Sequence, residues 1–560
     1  MADFELRSNL WRMWIIFAVC MAAYCVLVIR LGYLQIVRGE QYKAWAQGLN
    51  VLASPPAVLR GEIFFADGEP LAVNKSFYFV SASPPEITNK EKTASELAKI
   101  LSLNEGDVLK NLSKSGFYAL IKDKITDTEA AGVKSASLDG IYVQEKKMRY
   151  YPQNNLASQI VGFVDGNGHG QYGLEEYYDD QLSAGKDLIL NINYHLQSQS
   201  EQILADYVQK LNARGGEIIV ADPNNGAILT MAQTPNFDPN NYQQIAADGK
   251  SFGIFKNSST QELFEPGSVF KAITMASALN EGKVNPQTSY YDSGVVKVGA
   301  YSIYNFAHKS YGQQTMTGVL EKSINTGAVY AENQLGHQAF TDYIKKFGIM
   351  QPTGIDLPET YSSNSGFLAG HIIGYDTAAF GQGIWMTSSQ LLRAYCALIN
   401  GGKLVAPSVA NVIRENNNSA QAQVIKPETS QTIRKMLQSV VDNGFGKAAK
   451  IPGYSIGGKT GTAQISWAAL GVDKSGYSDT DTIQSFVGFF PVDNPKFLII
   501  VKLNNPQSNT AEYSVVPVFR DISQYIIYLY QLPPDNQKEI PALSSQPVQN
   551  STSTQPGLSF

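Results

Sequence analysis

The pattern of apolar and polar positions divides the chain into four regions of different character. Residues 13–29 form one uninterrupted apolar run, which is at the short end of what crosses a bilayer as a helix. Residues 30–184 mix short strand-like runs with polar helical segments, and residues 185–530 place strands at both ends with helices between them. Residues 531–560 are rich in Pro, Gln, Ser, Thr and Asn, so this tail is expected to be disordered.

Local periodicity predicts individual elements inside these regions. Helices are predicted near residues 94–100 and 128–132 of the second region, and a strand is predicted near 160–164. The third region is predicted to begin with a strand at 187–193 and to end with a strand at 497–503 and a helix at 518–530. Strands at both ends with helices between them indicate an α+β domain, in which helices cover one sheet.

The N-terminal apolar run has three interpretations. It is flanked by Arg12 and Arg30, so the distribution of basic residues does not set its orientation. A cleaved signal peptide and a lipid-attached Cys25 are the alternatives to an uncleaved anchor. The run lacks a clear small-x-small cleavage site, and Tyr24 is bulky for the position before a lipidated cysteine. An uncleaved signal-anchor over residues 13–29 is therefore favoured, after a short tail at 1–12.

Composition narrows the class of protein. A chain of 560 residues with 44% hydrophobic content suggests two or three domains with real cores. A net charge of −5 and the absence of a basic stripe give no reason to expect nucleic acid. The three cysteines, Cys20, Cys25 and Cys396, form no disulfide framework, and no metal-ligand spacing is present. No metal or cofactor is expected.

Candidate chemistry begins with Ser268 and Lys271. They follow Glu265-Pro-Gly267, a helix-start signal, and apolar residues at helical spacing continue to about residue 279. Side chains three residues apart share a helix face, so Lys271 can reach the Ser268 hydroxyl and act as its base if its pKa is depressed. Alone, this pair is more simply a helix cap with a solvated lysine.

Two further motifs supply complementary groups. Ser323 and Asn325 lie in a predicted loop, 323–327, between two helices, where Ser323 would relay a proton and Asn325 would hold a substrate amide. The alternative is an ordinary Ser/Asn turn. The run Lys459-Thr460-Gly461-Thr462 lies in a predicted glycine-rich strand; Lys459 and the threonines can bind a carboxylate. The backbone N–H groups of Ser268 and Thr462 could form an oxyanion hole.

Two nucleotide-binding patterns are weak alternatives. Residues 453–460 fit the P-loop pattern, but no buried strand precedes them, and Gly461 and a β-favouring run follow instead of a helix. Residues 168–173 fit G-x-G-x-x-G, but the helix after them is too polar to lie buried against a parallel sheet. The ordered set of three motifs favours acyl transfer over either.

At these residues the chain resembles the class B penicillin-binding proteins, the monofunctional D,D-transpeptidases of bacterial cell-wall synthesis. The likeness reaches to about residue 530 and includes Arg149-Tyr-Tyr-Pro152, Phe237-Asp-Pro-Asn240, Ala379-Phe-Gly-Gln-Gly383 and Ser485-Phe-Val-Gly488. The resemblance implies a serine β-lactamase-like transpeptidase domain over 185–530. It also implies an α/β pedestal of the dimerisation type over 30–184 and a single transmembrane helix with the bulk of the chain outside the cytoplasm.

The resemblance further implies an activity and partners. Ser268 would attack the penultimate D-Ala of a peptidoglycan stem peptide, the acyl-enzyme would pass to an amine, and β-lactams would acylate the same serine. A D,D-carboxypeptidase or β-lactamase-like hydrolase and a non-catalytic β-lactam sensor or division scaffold are the alternatives. The residues around the three motifs resemble division-type members more than elongation-type members, although Ile324 replaces the serine that is usual in the middle of the second motif. Such members work with a SEDS-type glycan polymerase (shape, elongation, division and sporulation) and other divisome proteins.

Overall fold

A computed structural model of the protein describes residues 2–33, 59–247, 251–411, 422–467 and 469–535. The strands, β1 to β16 in chain order, are Ile63–Phe64, Pro70–Ala82, Ala119–Ile125, Ile141–Tyr150, Phe163–Val164, Gly170–Gln171, Leu188–Ile189, Gly215–Ala221, Ile228–Thr234, Ser289–Asp292, Val295–Val298, Tyr301–Tyr304, Gly312–Thr315, Gly457–Ser466, Tyr477–Phe490 and Phe497–Asn504. The α-helices are Ala2–Gly32, Lys90–Leu101, Glu105–Leu112, Asp127–Ala136, Ser158–Val161, Gly173–Tyr177, Asp179–Ser183, Tyr194–Lys210, Tyr242–Ala246, Ser258–Gln261, Lys271–Asn280, Met316–Glu321, Asn325–Leu335, His337–Lys346, Ser365–Leu368, Ile372–Ala378, Ser388–Ile399, Pro427–Asn443 and Val515–Leu529.

The predicted apolar run lies inside a longer helix, Ala2–Gly32. Its segment Trp14–Gly32 has 19 residues, a mean hydropathy of 2.4 and no buried share. At 1.5 Å of rise per residue, a segment of this length approaches the thickness of the hydrocarbon core of a bilayer. By length and composition, this helix can cross a membrane once.

Contacts divide the chain into two compact units. Among the described residues, the first takes in those within 2–33, 59–60, 73–150 and 183–185, and the second those within 61–72, 151–182 and 186–535. The predicted boundary at residue 184 stays a prediction. It differs from this division because two segments from before that boundary pack with the second unit.

The first unit is built on one antiparallel sheet with helices. Strand β2 pairs with β3 from Tyr78 to Ala82 and with β4 from Val73 to Ala82. Three helices, 90–101, 105–112 and 127–136, contribute to its buried apolar cluster, which includes Val80, Leu97 and Val108. This arrangement agrees with the helices predicted near residues 94–100 and 128–132.

The second unit is centred on a five-stranded antiparallel sheet in the order β14-β15-β16-β8-β9. Strand β8 is buried along its whole length, and alternate residues belong to different cores because successive side chains point to opposite faces. Ile218 and Val220 join the cluster that contains the helices 194–210 and 515–529. Ile219 joins the larger cluster on the other face, with the helices 271–280, 388–399 and 427–443.

A buried ion pair joins this sheet to two helices. Glu217 and Lys502 face each other across β8 and β16, with Lys502 Nζ 3.1 Å from Glu217 Oε1. Ser258 Oγ at 2.6 Å, Ser259 Oγ at 3.1 Å and Ser388 Oγ also donate to this carboxylate. Burial raises the pKa of Glu217, but the charge of Lys502 and the hydroxyl donors outweigh it and hold the pKa below its usual value.

Several predicted elements differ from those observed. The strand predicted at 160–164 is a helical turn, Ser158–Val161, followed by the two-residue strand β5, because the buried backbone turns at Gly162 with φ +75°. The strand predicted at 187–193 is only Leu188–Ile189. The strand at 497–503 is confirmed as β16, and the helix predicted at 518–530 begins earlier, at Val515. The tail predicted to be disordered, residues 531–560, lies mostly outside the described residues.

Candidate active site

Ser268 lies in a tight turn rather than at the first turn of the α-helix. The turn is a 3-10 helix, Gly267–Phe270, and the α-helix Lys271–Asn280 continues from it. Gly267 adopts φ +60°, a conformation that glycine tolerates best, and its N–H donates to the Gly381 carbonyl at 3.0 Å. The predicted helix start is therefore displaced by three residues, and Ser268 is held by this turn.

The amine of Lys271 is at the centre of the site. Its Nζ lies 2.9 Å from Ser268 Oγ, 2.5 Å from the Ser323 carbonyl and 2.7 Å from Asn325 Oδ1. Ser323 Oγ is farther away, at 3.3 Å. Two motifs that are separate in the sequence thus meet at one nitrogen atom, and Lys459 of the third motif is joined to them through Ser323 Oγ.

These contacts are matched to a neutral amine. The Ser323 carbonyl and Asn325 Oδ1 can only accept hydrogen bonds, so they use the two hydrogens that a neutral lysine carries. Its lone pair is then left for a neighbour that can donate, and the nearer of the two hydroxyls around it is that of Ser268. In this arrangement Lys271 is placed to accept the Ser268 proton.

Electrostatics favour the same protonation state. Lys271 is 1% exposed. Its burial lowers the pKa of the Lys271 amine well below the ordinary lysine value, and the nearby charge of Lys459 lowers it further. Lys271 can act as a base for Ser268 only if its pKa is depressed, and its burial and the neighbouring Lys459 provide the cause.

Ser323 connects the two lysines. It lies between the helices 316–321 and 325–335 and adopts φ +53°, an unusual conformation for a residue other than glycine. Lys459 Nζ donates to Ser323 Oγ at 2.9 Å and to the Thr460 carbonyl at 3.0 Å. The Ser323 hydroxyl therefore lies within reach of both Nζ atoms, as a proton relay requires. The connecting loop is shorter than predicted, because the second helix begins at Asn325.

Lys459 is buried and does not line the cleft. It is fully buried, and burial lowers the pKa of its amine to about 7. Thr460 and Thr462, by contrast, line the cleft beside Ser268. A ligand carboxylate would therefore contact the threonine hydroxyls, and Lys459 would act on it through its charge.

The strand that carries these residues packs closely on the turn that carries Ser268. Lys459, Thr460, Gly461 and Thr462 lie in β14, at one edge of the sheet. A Cβ at Gly461 would lie 2.4 Å from Ser485 Oγ, 3.0 Å from Val269 Cγ1 and 3.1 Å from the Pro266 carbonyl. Glycine is thus needed for this approach. Because the chain continues as a strand beyond Thr460, the P-loop alternative is excluded.

Residues outside the three motifs also line the cleft. It has a volume of about 1860 Å³ and is lined by Ser268, Ser323, Asn325, Thr460 and Thr462 together with residues that the sequence did not single out. These include strand β12 and the segment after it, the helix 372–378 and the loop 505–512. Within the described residues, no group of three or more His, Cys, Asp or Glu side chains could hold a metal ion.

Comparison with known proteins identifies the family. Residues 216–524 match the family model of the penicillin-binding protein transpeptidase domain, and residues 55–218 match the penicillin-binding protein dimerisation domain. Stage V sporulation protein D of Bacillus subtilis is 33% identical over 530 residues, covering 86% of this chain and 80% of the relative. The chain belongs to the class B penicillin-binding proteins. The predicted family and its peptidoglycan D,D-transpeptidase class are confirmed.

Other penicillin-binding proteins extend this likeness. The penicillin-binding protein PbpB of Mycobacterium tuberculosis is 27% identical, covering 92% of this chain and 84% of the relative. The crystal structure of penicillin-binding protein 3 from Mycobacterium tuberculosis, complexed with aztreonam, has a TM-score of 0.64 at 24% identity and covers 85% of this chain and 97% of that one. A peptidoglycan synthetase from Bifidobacterium adolescentis has a TM-score of 0.66 at 22% identity, covering 85% and 96%. These structures confirm the predicted α+β fold of this penicillin-binding protein.

Proposed function

We propose that this penicillin-binding protein cross-links peptidoglycan stem peptides through an acyl-enzyme on Ser268. The observation that carries the proposal is the contact of Lys271 Nζ with Ser268 Oγ at 2.9 Å, made while two acceptors engage the other side of the amine. A buried amine whose pKa is depressed can serve as a base in this position.

Acylation uses these groups in sequence. Ser268 Oγ attacks the carbonyl carbon of the penultimate D-Ala, and its proton passes to Lys271 Nζ. The bond to the last D-Ala breaks, and the leaving nitrogen takes a proton through the Ser323 hydroxyl. The N–H groups of Ser268 and Thr462 are proposed to stabilise the oxyanion. In support, a Cβ on Gly267 would lie only 3.1 Å from the Thr462 carbonyl, so the two segments are adjacent.

Transfer to the second stem reverses these steps. An amine of a neighbouring stem peptide attacks the ester carbon, and Ser323 and Lys271 remove its proton. The Ser268 oxygen leaves and regains its hydrogen, and an amide bond has formed between the two stems. Asn325 is proposed to hold the amide of the donor peptide.

Before acylation, the hydroxyls of Thr460 and Thr462 bind the terminal carboxylate of the donor peptide, and the charge of Lys459 attracts it. Gly461 allows the strand to approach the turn that carries Ser268.

The membrane location and the partners belong to the same proposal. The apolar segment Trp14–Gly32 would anchor the chain, with its bulk outside the cytoplasm, where peptidoglycan is cross-linked. Similarity to proteins named FtsI homolog and PbpB, together with the residues around the three motifs, supports a role in septal wall synthesis. A SEDS-type glycan polymerase and divisome proteins are the proposed partners, contacted through the anchor and the first unit.

A transfer assay tests the reaction. Full-length protein in detergent is given a stem peptide that ends in D-Ala-D-Ala and a labelled amine acceptor. We expect release of D-Ala and incorporation of the label, both absent from Ser268→Ala. Release of D-Ala without incorporation at any acceptor concentration would instead indicate a carboxypeptidase.

Depletion in a rod-shaped host tests the septal role. We expect filaments or failed separation of daughter cells. Rounded cells with normal septa would contradict the septal role and indicate the elongation role instead.

A further inference from the structure

A buried carboxylate lies close to the site but outside the three motifs. Asp292 ends strand β10 and is fully buried. Its oxygens accept from Gly294 N at 2.9 Å, from Tyr311 N at 2.8 Å and from Thr326 Oγ1 at 2.6 Å. Asn305 Nδ2 lies 3.0 and 2.9 Å from the two oxygens. Every one of these neighbours is a donor, so an acceptor-only carboxylate is the side chain that satisfies them all.

The contacts of Asp292 form a closed ring with two other residues. Asn305 donates to Asp292, and its Oδ1 accepts the Thr326 N–H at 3.1 Å. Thr326 in turn donates its hydroxyl to Asp292. Thr326 follows Asn325 in the first turn of the helix 325–335, and Asn305 follows Tyr304 at the end of β12. The ring therefore ties the base of the β11–β12 hairpin to the helix that presents Asn325.

The Asn325 amide lies between this hairpin and Lys271. Asn325 Nδ2 donates to the Tyr304 carbonyl at 2.9 Å, and the opposite end of the amide, Oδ1, faces Lys271 Nζ at 2.7 Å. If the amide turned over, Nδ2 would face the amine and would compete with the Ser268 hydroxyl for its lone pair. The orientation of one amide thus decides whether the base is available.

We propose that Asp292, through Asn305 and Thr326, is a positioning residue that holds the Asn325 amide with its oxygen toward Lys271. The inference rests on the proposed role of Lys271 as the base for Ser268. Asp292 touches no reacting atom: it fixes Tyr304 and Asn325 relative to one another, and the amide then directs the amine.

The test compares two substitutions at Thr326 with one control. Thr326→Val keeps the shape of the side chain and removes the hydroxyl that donates to Asp292, whereas Thr326→Ser keeps the hydroxyl. Thr341→Val is the matched control, because Thr341 is another buried helix threonine whose hydroxyl donates only within its own helix, to the His337 carbonyl at 2.9 Å. Asp292→Asn is a second variant that breaks the ring from its other side.

Full-length protein in detergent is mixed with fluorescent penicillin, and the dissociation constant and the first-order acylation constant are measured separately. We expect Thr326→Val to lower the acylation constant about tenfold or more with little change in the dissociation constant, since misplacing a reacting group costs rate rather than binding. Thr326→Ser should restore most of the rate, and Thr341→Val should match the wild type. Thermal unfolding confirms that each variant is folded.

Three results would overturn the inference: an unchanged acylation constant in folded Thr326→Val and Asp292→Asn, an equal loss in Thr326→Val and Thr326→Ser, or a loss confined to binding. Failure of the proposed function would look different. In that case the wild-type protein itself would not be acylated on Ser268.

Discussion

Replacing Asn325 by aspartate should move the pH dependence of acylation, and the structure gives the direction. Asn325 Oδ1 lies 2.7 Å from Lys271 Nζ, and aspartate has nearly the same shape. It places a negative charge beside a buried amine whose pKa is lowered by burial and by Lys459. An opposite charge favours the protonated lysine, so the pKa of Lys271 rises and a smaller fraction of the amine is neutral at a given pH.

The size of the effect follows from the distance. An opposite charge within about 4–6 Å shifts a pKa by about 1–3 units, and each unit changes the neutral fraction about tenfold. At a pH below the pKa of Lys271 in both proteins, acylation of Asn325→Asp should therefore be about 10- to 1000-fold slower than acylation of the wild type. Acylation of the wild type should rise with pH through the pKa of Lys271. It should fall above about 7, where Lys459 loses the charge that attracts the carboxylate of the penicillin. The optimum of Asn325→Asp should lie at higher pH.

The assay measures the rate of acylation by fluorescent penicillin across this pH range. Asn325→Ala is the control, because it removes the acceptor for Lys271 and the donor to the Tyr304 carbonyl without adding a charge. It should lose rate without moving its optimum upward. An optimum of Asn325→Asp that coincides with that of Asn325→Ala would refute the electrostatic coupling between residue 325 and Lys271.

Three further predictions concern the scaffold. Gly381 has φ +85°, and a Cβ there would lie 2.1 Å from the Gly267 carbonyl, so Gly381→Ala should slow acylation and lower the unfolding midpoint. Gly282→Ala, with φ +65° and open space around the Cβ, is the control, and equal acylation in the two variants would contradict the prediction. Lys502→Met leaves the Glu217 carboxylate buried without its cation and should cost about 3–5 kcal/mol in urea unfolding. An unchanged urea midpoint in Lys502→Met would contradict this cost. Because the folded pKa of Glu217 is depressed, the free energy of unfolding of the wild type should fall as the pH drops below about 4.5.

The sequence predicted which site residues would meet better than it predicted their local geometry. Residue type and order were enough to expect that Ser268, Lys271, Ser323 and Asn325 would meet, because each supplies a different function in acyl transfer. The exact start of the helix at Ser268 was not predictable, since the 3-10 turn depends on a hydrogen bond from Gly267 to a carbonyl more than a hundred residues away.

The parts that sequence reasoning missed depend on long-range packing. Asp292 and Asn305 carry no motif, and their contact with Thr326 arises only when the hairpin folds against the helix. Glu217 and Lys502 are also ordinary charged residues until β8 and β16 pair and bury both of them. A single-sequence pattern reports local periodicity, and it contains no direct signal for such contacts.

Mapping the covalent adduct tests the central claim most directly. Full-length protein is treated with labelled penicillin, digested and analysed by mass spectrometry, beside Ser268→Ala and Lys271→Ala. The account predicts one label per chain on Ser268, none in Ser268→Ala, and almost none in Lys271→Ala because the base is lost. A label on another serine, or one that persists in Ser268→Ala, would contradict it.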